Sequence, residues 1–228
     1  MLLYIIRGSI MRNDCIFWDW NGTLLDDARA AWLAVNDMLT SRNLPLITLD
    51  KYREYIDVPI VRFYERVMDM SKEDMHSLSV EFDALWAKHL PEDALSESAR
   101  DILSKFSEQG IKQYIFSSSR NDIIEPYLKR FGIDKYFVSV IGATDRKVGS
   151  KAERTRDYIL SNGIDISKAV FIGDMVHDYD VASFIGAKSI LISSGHQSKS
   201  ALIKTGAPVV SSLSQIYEII NQNTEVGK

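Results

Sequence analysis

The sequence has little cysteine and no long hydrophobic run, and both absences narrow the class of protein. Cys15 is the only cysteine in 228 residues, which excludes an intrachain disulfide and is typical of a reducing compartment. No stretch is apolar and long enough to cross a bilayer. No basic block accompanies the net charge of -4, which argues against nucleic acid or an anionic membrane as the main partner. We therefore predict a cytoplasmic protein with neither partner.

The composition predicts a globular chain of one domain with an insertion, or of two small domains. Hydrophobic residues make up 46% and charged residues 25% of the chain, which are ordinary proportions for a protein with a sizeable core. The first ten residues, MLLYIIRGSI, have too short an apolar stretch for a signal peptide and no small-residue cleavage pattern after it. We predict that residues 1–10 are an N-terminal extension and that Met11 is an alternative start.

Short apolar runs alternate with helical patterns along most of the chain. The predicted strands are residues 15–18, 113–116, 137–141, 169–172 and 189–192. The predicted helices between them are residues 100–109, 123–131, 151–162 and 179–185. This alternation is typical of a doubly wound, Rossmann-like α/β fold, and the lack of polar alternation within the runs favours parallel strands that are covered on both faces.

The interval between the first two strands has a different pattern. Residues 26–93 contain no good strand but carry helical patterns at 28–42, 50–55, 61–68 and 72–89, which are separated by proline-containing breaks. This pattern predicts an α-helical cap domain at 26–93, inserted into a core domain formed by 11–25 and 94–228.

Polar side chains follow the predicted strands at the edge where open α/β sheets bind their ligands. In chain order they are Asp19 and Asn21, Ser117 and Ser118, Lys147 and Lys151, and finally Asp174, Asp178 and Asp180. Carboxylates with substrate phosphate are typical ligands of Mg²⁺, and an aspartate can attack phosphorus to form an aspartyl-phosphate. A lysine and hydroxyl groups would stabilise the transferring group. The sequence therefore predicts a Mg²⁺-dependent site for a small phosphorylated metabolite.

These motifs resemble those of the haloacid dehalogenase superfamily. They are Asp-x-x-Gly-Thr-Leu from Asp19, a serine at 117, a lysine before a helix, and Gly-Asp-x-x-x-Asp from Gly173 to Asp178. The order of the motifs, with a helical cap after the first, is most similar to the phosphoglycolate phosphatase-like branch. The resemblance covers essentially the whole chain from Met11.

The resemblance implies a role for each motif residue. Asp19 is the nucleophile, Thr23 supports the turn on the substrate side, and Ser117, with Ser118 beside it, binds phosphate. Lys151, with Lys147 as the alternative, pairs with the nucleophile and the phosphate. The implied Mg²⁺ ligands are Asp19, the main-chain carbonyl of Asn21, Asp174 and Asp178. In the cap, Arg62 is a candidate for an anionic substrate because arginine is suited to phosphate and carboxylate, as are Arg53 and Arg66.

Asn21 departs from this family pattern, which has an aspartate there as the acid for the leaving group and the base for water. An amide donates a hydrogen bond but cannot deliver a proton. General acid–base catalysis typically raises a rate by 10²–10⁴-fold. Its loss should slow the hydrolysis of phosphates with basic alkoxide leaving groups most, and that of aryl or acyl phosphates least. Deamidation of Asn21, which precedes a glycine, would restore an acid. His177 is a second candidate proton donor.

Three alternatives to a phosphatase remain open from the sequence. A phosphonate-cleaving hydrolase would need a Schiff-base lysine in the cap, for which Lys51, Lys72 and Lys88 are available. A dehalogenase would need no metal, so the retained Asp174 and Asp178 argue against it. A binding or regulatory protein would keep the phosphate site without turnover. His196 follows the last predicted strand, at the same edge of the sheet, and is given no role.

Overall fold

A computed structural model describes residues 14–143 and 150–225. The predicted extension at 1–10, the alternative start at Met11 and the alternative lysine, Lys147, lie outside the described residues.

A six-stranded parallel sheet forms the core. Its strands are β1 (Cys15–Trp18), β2 (Lys112–Arg120), β3 (Phe137–Ala143), β4 (Ala169–Gly173), β5 (Lys188–Ile192) and β6 (Val209–Val210). Their order across the sheet is β3-β2-β1-β4-β5-β6, and all neighbours are parallel. The prediction of a doubly wound parallel sheet is confirmed. The sixth strand was missed because two residues are too few to form a recognisable apolar run.

Four α-helices lie within residues 26–93, where the sequence predicts a cap. They are α1 (Ala28–Ser41), α2 (Leu49–Tyr55), α3 (Val61–Tyr64) and α4 (Met75–His89). They share a buried cluster that includes Val35, Tyr52, Phe63 and Leu78. The predicted domain limits, 26 and 93, stay a prediction.

Two cap helices are shorter than predicted by three residues or more. α3 ends at Tyr64 because the amides of Arg66 and Val67 bond to carbonyls three residues back, so the α-helical pattern stops. α4 begins at Met75 because the side chain of Asp74 accepts a hydrogen bond from the amide of Ser77 and caps the helix there.

The remaining helices cover the sheet. They are α5 (Ala99–Glu108), α6 (Asn121–Phe131), α7 (Lys151–Ser161), α8 (Val176–Ile185), α9 (Lys199–Ile203) and α10 (Leu213–Glu225). α6 and α8 end at Gly132 and Gly186, whose φ angles of 64° and 84° are in the left-handed region that glycine accepts without strain. Within the described ranges, no helix combines the length and apolar character needed to cross a membrane.

Candidate active site

The central strand β1 delivers Asp19 to the carboxyl edge of the sheet. β1 lies between β2 and β4, and the amide of Asp19 donates to the carbonyl of Ile172 at 2.8 Å. Trp18 is in register with Ile172, so Asp19 is level with Gly173 and Asp174 follows one residue later. Since β2 is the other neighbour of β1, Ser117 comes to this edge as well.

Three buried carboxylates and one lysine meet there, and we call Asp19, Asp174, Asp178 and Lys151 the carboxylate cluster. Nζ of Lys151 lies 2.5 Å from Oδ1 of Asp19 and 2.7 Å from Oδ1 of Asp178. One carboxylate oxygen from each of the three aspartates lies within 4.8 Å of the others. All four residues are buried. The four predicted positions are therefore brought together, and Lys151 is in direct contact with the predicted nucleophile.

Local structure fixes two members of the cluster. Lys151 is the first residue of α7, and it is aimed at the sheet edge over the ring of Phe116, with Nζ 4.1 Å from the ring centroid. Asp178 lies in the first turn of α8, where its Oδ2 accepts from the amides of Asp174 and Met175. The sequence placed Asp178 in a loop, because the start of α8 at Val176 was predicted three residues too late.

Burial and mutual repulsion set the charges of the cluster. The pKa of Asp19 is raised well above its usual range, because burial and the charges of Asp178 and Asp174 outweigh the attraction of Lys151. Burial also raises the pKa of Asp174 to about 7, with Asp178 adding to the shift and His196 opposing it. Burial alone would lower the pKa of Lys151, but Asp178 and Asp19 outweigh it and raise that pKa, which keeps the ammonium charged.

The cluster has the composition that a hard divalent cation requires. Three carboxylates against one ammonium leave two negative charges in a buried space when all the aspartates are ionised. Oxygen ligands from carboxylates are those that Mg²⁺ prefers. A cation would also offset the burial and the repulsion that hold protons on Asp19 and Asp174. The residues present therefore fit such an ion.

Close packing shapes the surroundings of Asp174. A Cβ on either Gly22 or Gly195 would collide with Oδ2 of Asp174, and a Cβ on Gly195 would also meet the backbone oxygen of Gly22 at 2.5 Å, so both positions require glycine. The amide of His196 donates to the same oxygen at 2.6 Å. The hydroxyl of Thr23 lies 3.4 Å from Oδ1 of Asp174, which places Thr23 against a carboxylate.

We expect the divalent cation to stabilise the protein more strongly as the pH rises. Because the pKa of Asp174 rises from 3.8 to about 7 on folding, the metal-free folded state holds a proton there that the unfolded state has lost. Between these values Asp174 therefore makes the metal-free fold less stable as pH rises. Mg²⁺ competes with that proton, so its effect should grow through about pH 7.

Thermal unfolding at about pH 5.5 and about pH 8, with and without Mg²⁺, measures this difference. A concentration of about 100 times Kd should add about 2.7 kcal/mol, or roughly 5–10 °C in Tm for a chain of this size. Asp174→Asn should lose the effect, whereas Asp180→Asn should retain it because Asp180 is exposed. An equal Mg²⁺ shift in the wild type and Asp174→Asn would refute the assignment.

Asn21 is held by two hydrogen bonds in a second polar group, which we call the Asp27 network. Its Nδ2 donates to Oδ2 of Asp27 at 2.7 Å, and its Oδ1 accepts from the hydroxyl of Ser119 at 2.6 Å. Asp27 also accepts from the amide of Gly22 at 2.8 Å. The side chain of Asn21 is therefore fixed in one orientation.

Two further residues bond to Asp27 from other parts of the chain. Nε1 of Trp86, from the cap helix α4, donates to Oδ2 of Asp27 at 2.9 Å, and Nε2 of His196 lies 3.0 Å from Oδ1. Nδ1 of His196 lies 2.9 Å from the hydroxyl of Tyr52 in α2. The network thus joins the cap to the core directly beside Asn21.

The charges in the Asp27 network oppose a role for Asp27 as a proton donor. Burial alone would raise the pKa of Asp27, but the charge and hydrogen bond of His196, with the bonds from Asn21 and Gly22, lower it. Burial alone would lower the pKa of His196, yet Tyr52, Asp27 and Asp174 raise it well above its usual value. Asp27 is therefore ionised at neutral pH.

The other predicted residues have less central positions. Ser117 is buried and its Oγ accepts from the amide of Ser119 at 3.0 Å, whereas Ser118 is exposed. Arg62 is exposed on α3 and lies near Val58 and Asp57. His177 is in the first turn of α8, where burial and the charge of Lys151 lower its pKa, so it is uncharged at neutral pH.

Arg53 and Arg66 bond to backbone carbonyls within the protein. Arg53 donates to the carbonyls of Gly195 and Ser194 at 3.0 and 2.8 Å. Its own carbonyl accepts from the amide of Ser198 at 2.9 Å. Arg66 donates to the carbonyl of Tyr55 at 2.5 Å. Arg53 thus holds α2 of the cap against the loop that follows β5.

Comparison with known proteins agrees with this geometry. The family model described as haloacid dehalogenase-like hydrolase matches residues 16–192. A phosphoglycolate phosphatase from Pseudomonas fluorescens is 25% identical over 190 residues, covering 79% of this chain and 70% of that protein. The tyrosine-protein kinase PtkA from Mycobacterium tuberculosis is 23% identical over 209 residues, covering 90% and 70%. A predicted phosphatase from Clostridium acetobutylicum has a similar structure, with a TM-score of 0.73 and 20% identity over 92% of this chain and 99% of that one.

The doubly wound parallel sheet, with a carboxylate–lysine cluster at the carboxyl ends of its strands, agrees with the family whose model matches the chain. The chain belongs to the haloacid dehalogenase-like hydrolase family, as the match over most of its length establishes. The resemblance predicted from the sequence motifs is confirmed.

Proposed function

We propose that this protein is a Mg²⁺-dependent phosphatase that acts on a small phosphorylated metabolite through an aspartyl-phosphate on Asp19. The observation that carries the proposal is the contact of Lys151 with Asp19 at 2.5 Å, beside the carboxylates of Asp174 and Asp178. The name of the Pseudomonas relative, phosphoglycolate phosphatase, supports the reaction class.

Each residue of the cluster has a separate role in the proposed reaction. A bound divalent cation would supply positive charge opposite the phosphate oxygens. One carboxylate oxygen of Asp19 attacks phosphorus, a new O–P bond forms, and the bond from phosphorus to the leaving oxygen breaks. Lys151, charged and fixed by Asp178, stabilises the negative charge of the transferring group. Ser117, Ser118 and Thr23 are the proposed contacts for the phosphate.

The site favours substrates whose leaving group needs no proton. Asn21 cannot supply one, and Asp27 beside it is ionised and already accepts hydrogen bonds from Asn21, Gly22 and Trp86. We therefore assign activated phosphates, such as aryl or acyl phosphates, as the substrate class. Phosphoglycolate, whose leaving group is an alkoxide, should be a slow substrate. Arg62 is proposed to attract the anionic substrate.

Phosphonate cleavage receives no support from the cap lysines that the sequence offered. Lys51, Lys72 and Lys88 are 40%, 78% and 64% exposed and pair with Glu54, Asp69 and Asp37, respectively. A Schiff-base lysine must lose its proton, and it does so through burial or cationic neighbours. The three cap lysines have neither feature, since they are exposed and their partners are anionic.

Phosphate release with Mg²⁺ from esters graded by leaving-group pKa tests the proposal, with Asp19→Asn as the blank. We expect kcat/KM, which reports formation of the phosphoenzyme, to fall steeply as the leaving group becomes more basic, and to be lower for alkyl than for aryl phosphates by about 10²–10⁴-fold. Equal kcat/KM values would mean that another residue supplies the proton. If every ester matches the blank, the phosphatase proposal fails and a binding role remains. Release of inorganic phosphate also separates hydrolysis from transfer to a second substrate.

A further inference from the structure

The loop that follows β5, residues 193–198, lies between the cap and the carboxylate cluster, and we call it the β5 loop. On the cap side, the amide of Ser198 donates to the carbonyl of Arg53 in α2 at 2.9 Å. The guanidinium of Arg53 donates to two carbonyls of the same loop. On the other side, the amide of His196 donates to Oδ2 of Asp174 at 2.6 Å. The β5 loop therefore joins a cap helix to a candidate metal ligand.

His196 makes both contacts within one residue. Its main-chain amide bonds to Asp174, while Nδ1 of its side chain lies 2.9 Å from the hydroxyl of Tyr52 in α2. Both His196 and Tyr52 are buried, so solvent is a poor substitute for the bond between them. The hydroxyl of Tyr52 thus holds the residue whose amide orients Asp174.

Gln197 repeats this arrangement with its side-chain amide. Nε2 donates to the carbonyl of Ile56, which directly follows α2, at 3.2 Å, and Oε1 accepts from the amide of Val176 at 2.6 Å. Val176 is the first residue of α8 and lies between Asp174 and Asp178. A side-chain amide offers a donor and an acceptor together. Gln197 therefore ties the end of α2 to the turn that carries two carboxylates of the cluster.

The bonds to this turn determine how its carboxylates are oriented. The first amides of a helix have no partner within the helix, and Gln197 supplies one for Val176. Residues that hold metal ligands in place affect metal binding, and replacing such a partner typically lowers the affinity by about 10- to 100-fold. The contacts of α2 should therefore influence how well Asp174 and Asp178 bind a cation.

We propose that His196 and Gln197 are positioning residues, through which α2 of the cap sets the affinity of the carboxylate cluster for a divalent cation. The inference rests on the Mg²⁺ site of the proposed function, and it adds a role for two residues that the proposed reaction does not use. Coupling between two sites is reciprocal. Cation binding should therefore strengthen the bonds between α2 and the β5 loop in turn.

Calorimetric titration of the full chain with Mg²⁺, without substrate, tests the first half of this coupling. Tyr52→Phe removes the bond to His196 and should weaken Mg²⁺ binding by about 3- to 10-fold. Gln197→Met keeps the length of the side chain but removes both of its bonds, so it should weaken binding by about 10-fold or more. Neither variant changes the charge of the protein or a residue of the cluster.

Tyr64→Phe is the matched control for Tyr52→Phe. Tyr64 is a second buried tyrosine of the same cap cluster, and none of the bonds described between the cap and the β5 loop involves it. The control should bind Mg²⁺ like the wild type, even if its metal-free Tm falls. A merely structural role of Tyr52 would likewise lower the metal-free Tm but leave the Mg²⁺ affinity unchanged.

Hydrogen exchange tests the reciprocal half, because the amide of Ser198 donates directly to α2 at Arg53. Mg²⁺ should slow exchange of this amide by the same factor, about 3- to 10-fold, by which Tyr52→Phe weakens Mg²⁺ binding. The amide of Ser77, bonded to Asp74 at the exposed start of α4, is the reference. Its exchange should not respond to Mg²⁺.

The outcomes separate this inference from the proposed function. Equal Mg²⁺ affinity in the wild type, Tyr52→Phe and Gln197→Met would overturn the coupling and leave the phosphatase proposal intact. An equal loss of affinity in Tyr52→Phe and Tyr64→Phe would also overturn it, since general stability of the cap would then be the cause. A wild type that binds no Mg²⁺ would overturn both the coupling and the Mg²⁺ dependence. Circular dichroism shows whether each variant folds, and if Gln197→Met does not, Tyr52→Phe and the Ser198 amide decide.

Discussion

Replacing Asn21 with aspartate should raise the rate of alkyl phosphate hydrolysis by about 10²–10⁴-fold, which is the usual effect of general acid–base catalysis. The new carboxyl group would lie beside Oδ2 of Asp27, which Nδ2 of Asn21 now approaches to 2.7 Å. Two carboxyl groups at this distance share one proton, since the repulsion between two carboxylates makes ionisation of both unfavourable. The substitution therefore places a titratable proton next to the leaving group.

The position of that proton follows from the remaining partners of Asp27. Gly22, Trp86 and His196 would still bond to Asp27, and they keep it ionised. The proton would then remain at position 21, where the leaving oxygen needs it. Values of kcat/KM for an alkyl and an aryl phosphate provide the measurement, because kcat/KM reports the steps up to formation of the phosphoenzyme. The kcat/KM of the variant for the aryl phosphate should change little.

A double variant gives the matched control for this effect. Adding Asp27→Asn to Asn21→Asp turns the neighbour into an amide, which can donate to the new carboxylate and lower its pKa. The gain on alkyl phosphates should shrink in the double variant. An equal gain in the single and double variants would contradict the role given to Asp27. Because the amide of Gly22 is bonded to Asp27 at 2.8 Å, we also expect Asn21 to resist deamidation, which a mass spectrum of the peptide around Asn21 checks.

The sheet and the carboxylate cluster could be predicted from the sequence because their signals are local. Each predicted strand is a short apolar run, and Asp19, Asp174 and Asp178 follow the ends of β1 and β4 by one to five residues. Parallel strands bring their carboxyl ends to one edge, so the meeting of Asp19, Asp174 and Asp178 needs no knowledge of the loops. The spacing alone does not tell which of Lys151 and Lys147 reaches the sheet.

The Asp27 network could not be predicted for the opposite reason. Asp27 and His196 are 169 positions apart, and their contact depends on how the cap packs against the core. In the sequence, Asp27 has the appearance of an acidic residue before a helix, which is common at helix N-termini. Trp86 and Tyr52 have the spacing of cap core residues. No local pattern shows that all of them bond around one carboxylate.

Replacing Asp19 with asparagine should reduce phosphate release on the order of 10⁴-fold or more, because the attacking oxygen is lost. Asp26→Asn is the matched control, since Asp26 is a nearby carboxylate that is exposed, and it should remain active. Phosphate release from a good aryl substrate measures both variants. A fully active Asp19→Asn enzyme would contradict the assignment of the nucleophile.

The Asp19→Asn variant also tests whether the reaction passes through a phosphorylated enzyme. The second half-reaction needs a base to activate water, and the amide of Asn21 cannot serve as one. Loss of this base should slow hydrolysis of the aspartyl-phosphate more than its formation from an aryl phosphate. We therefore expect a burst of released phenol that matches the enzyme concentration, together with a phosphorylated Asp19 peptide in the mass spectrum.

Asn21→Asp should remove the burst by supplying the base, and Asp19→Asn should remove both burst and peptide. A wild-type enzyme without a burst would mean that formation of the phosphoenzyme limits the rate, so water would have to be activated by a group other than Asn21.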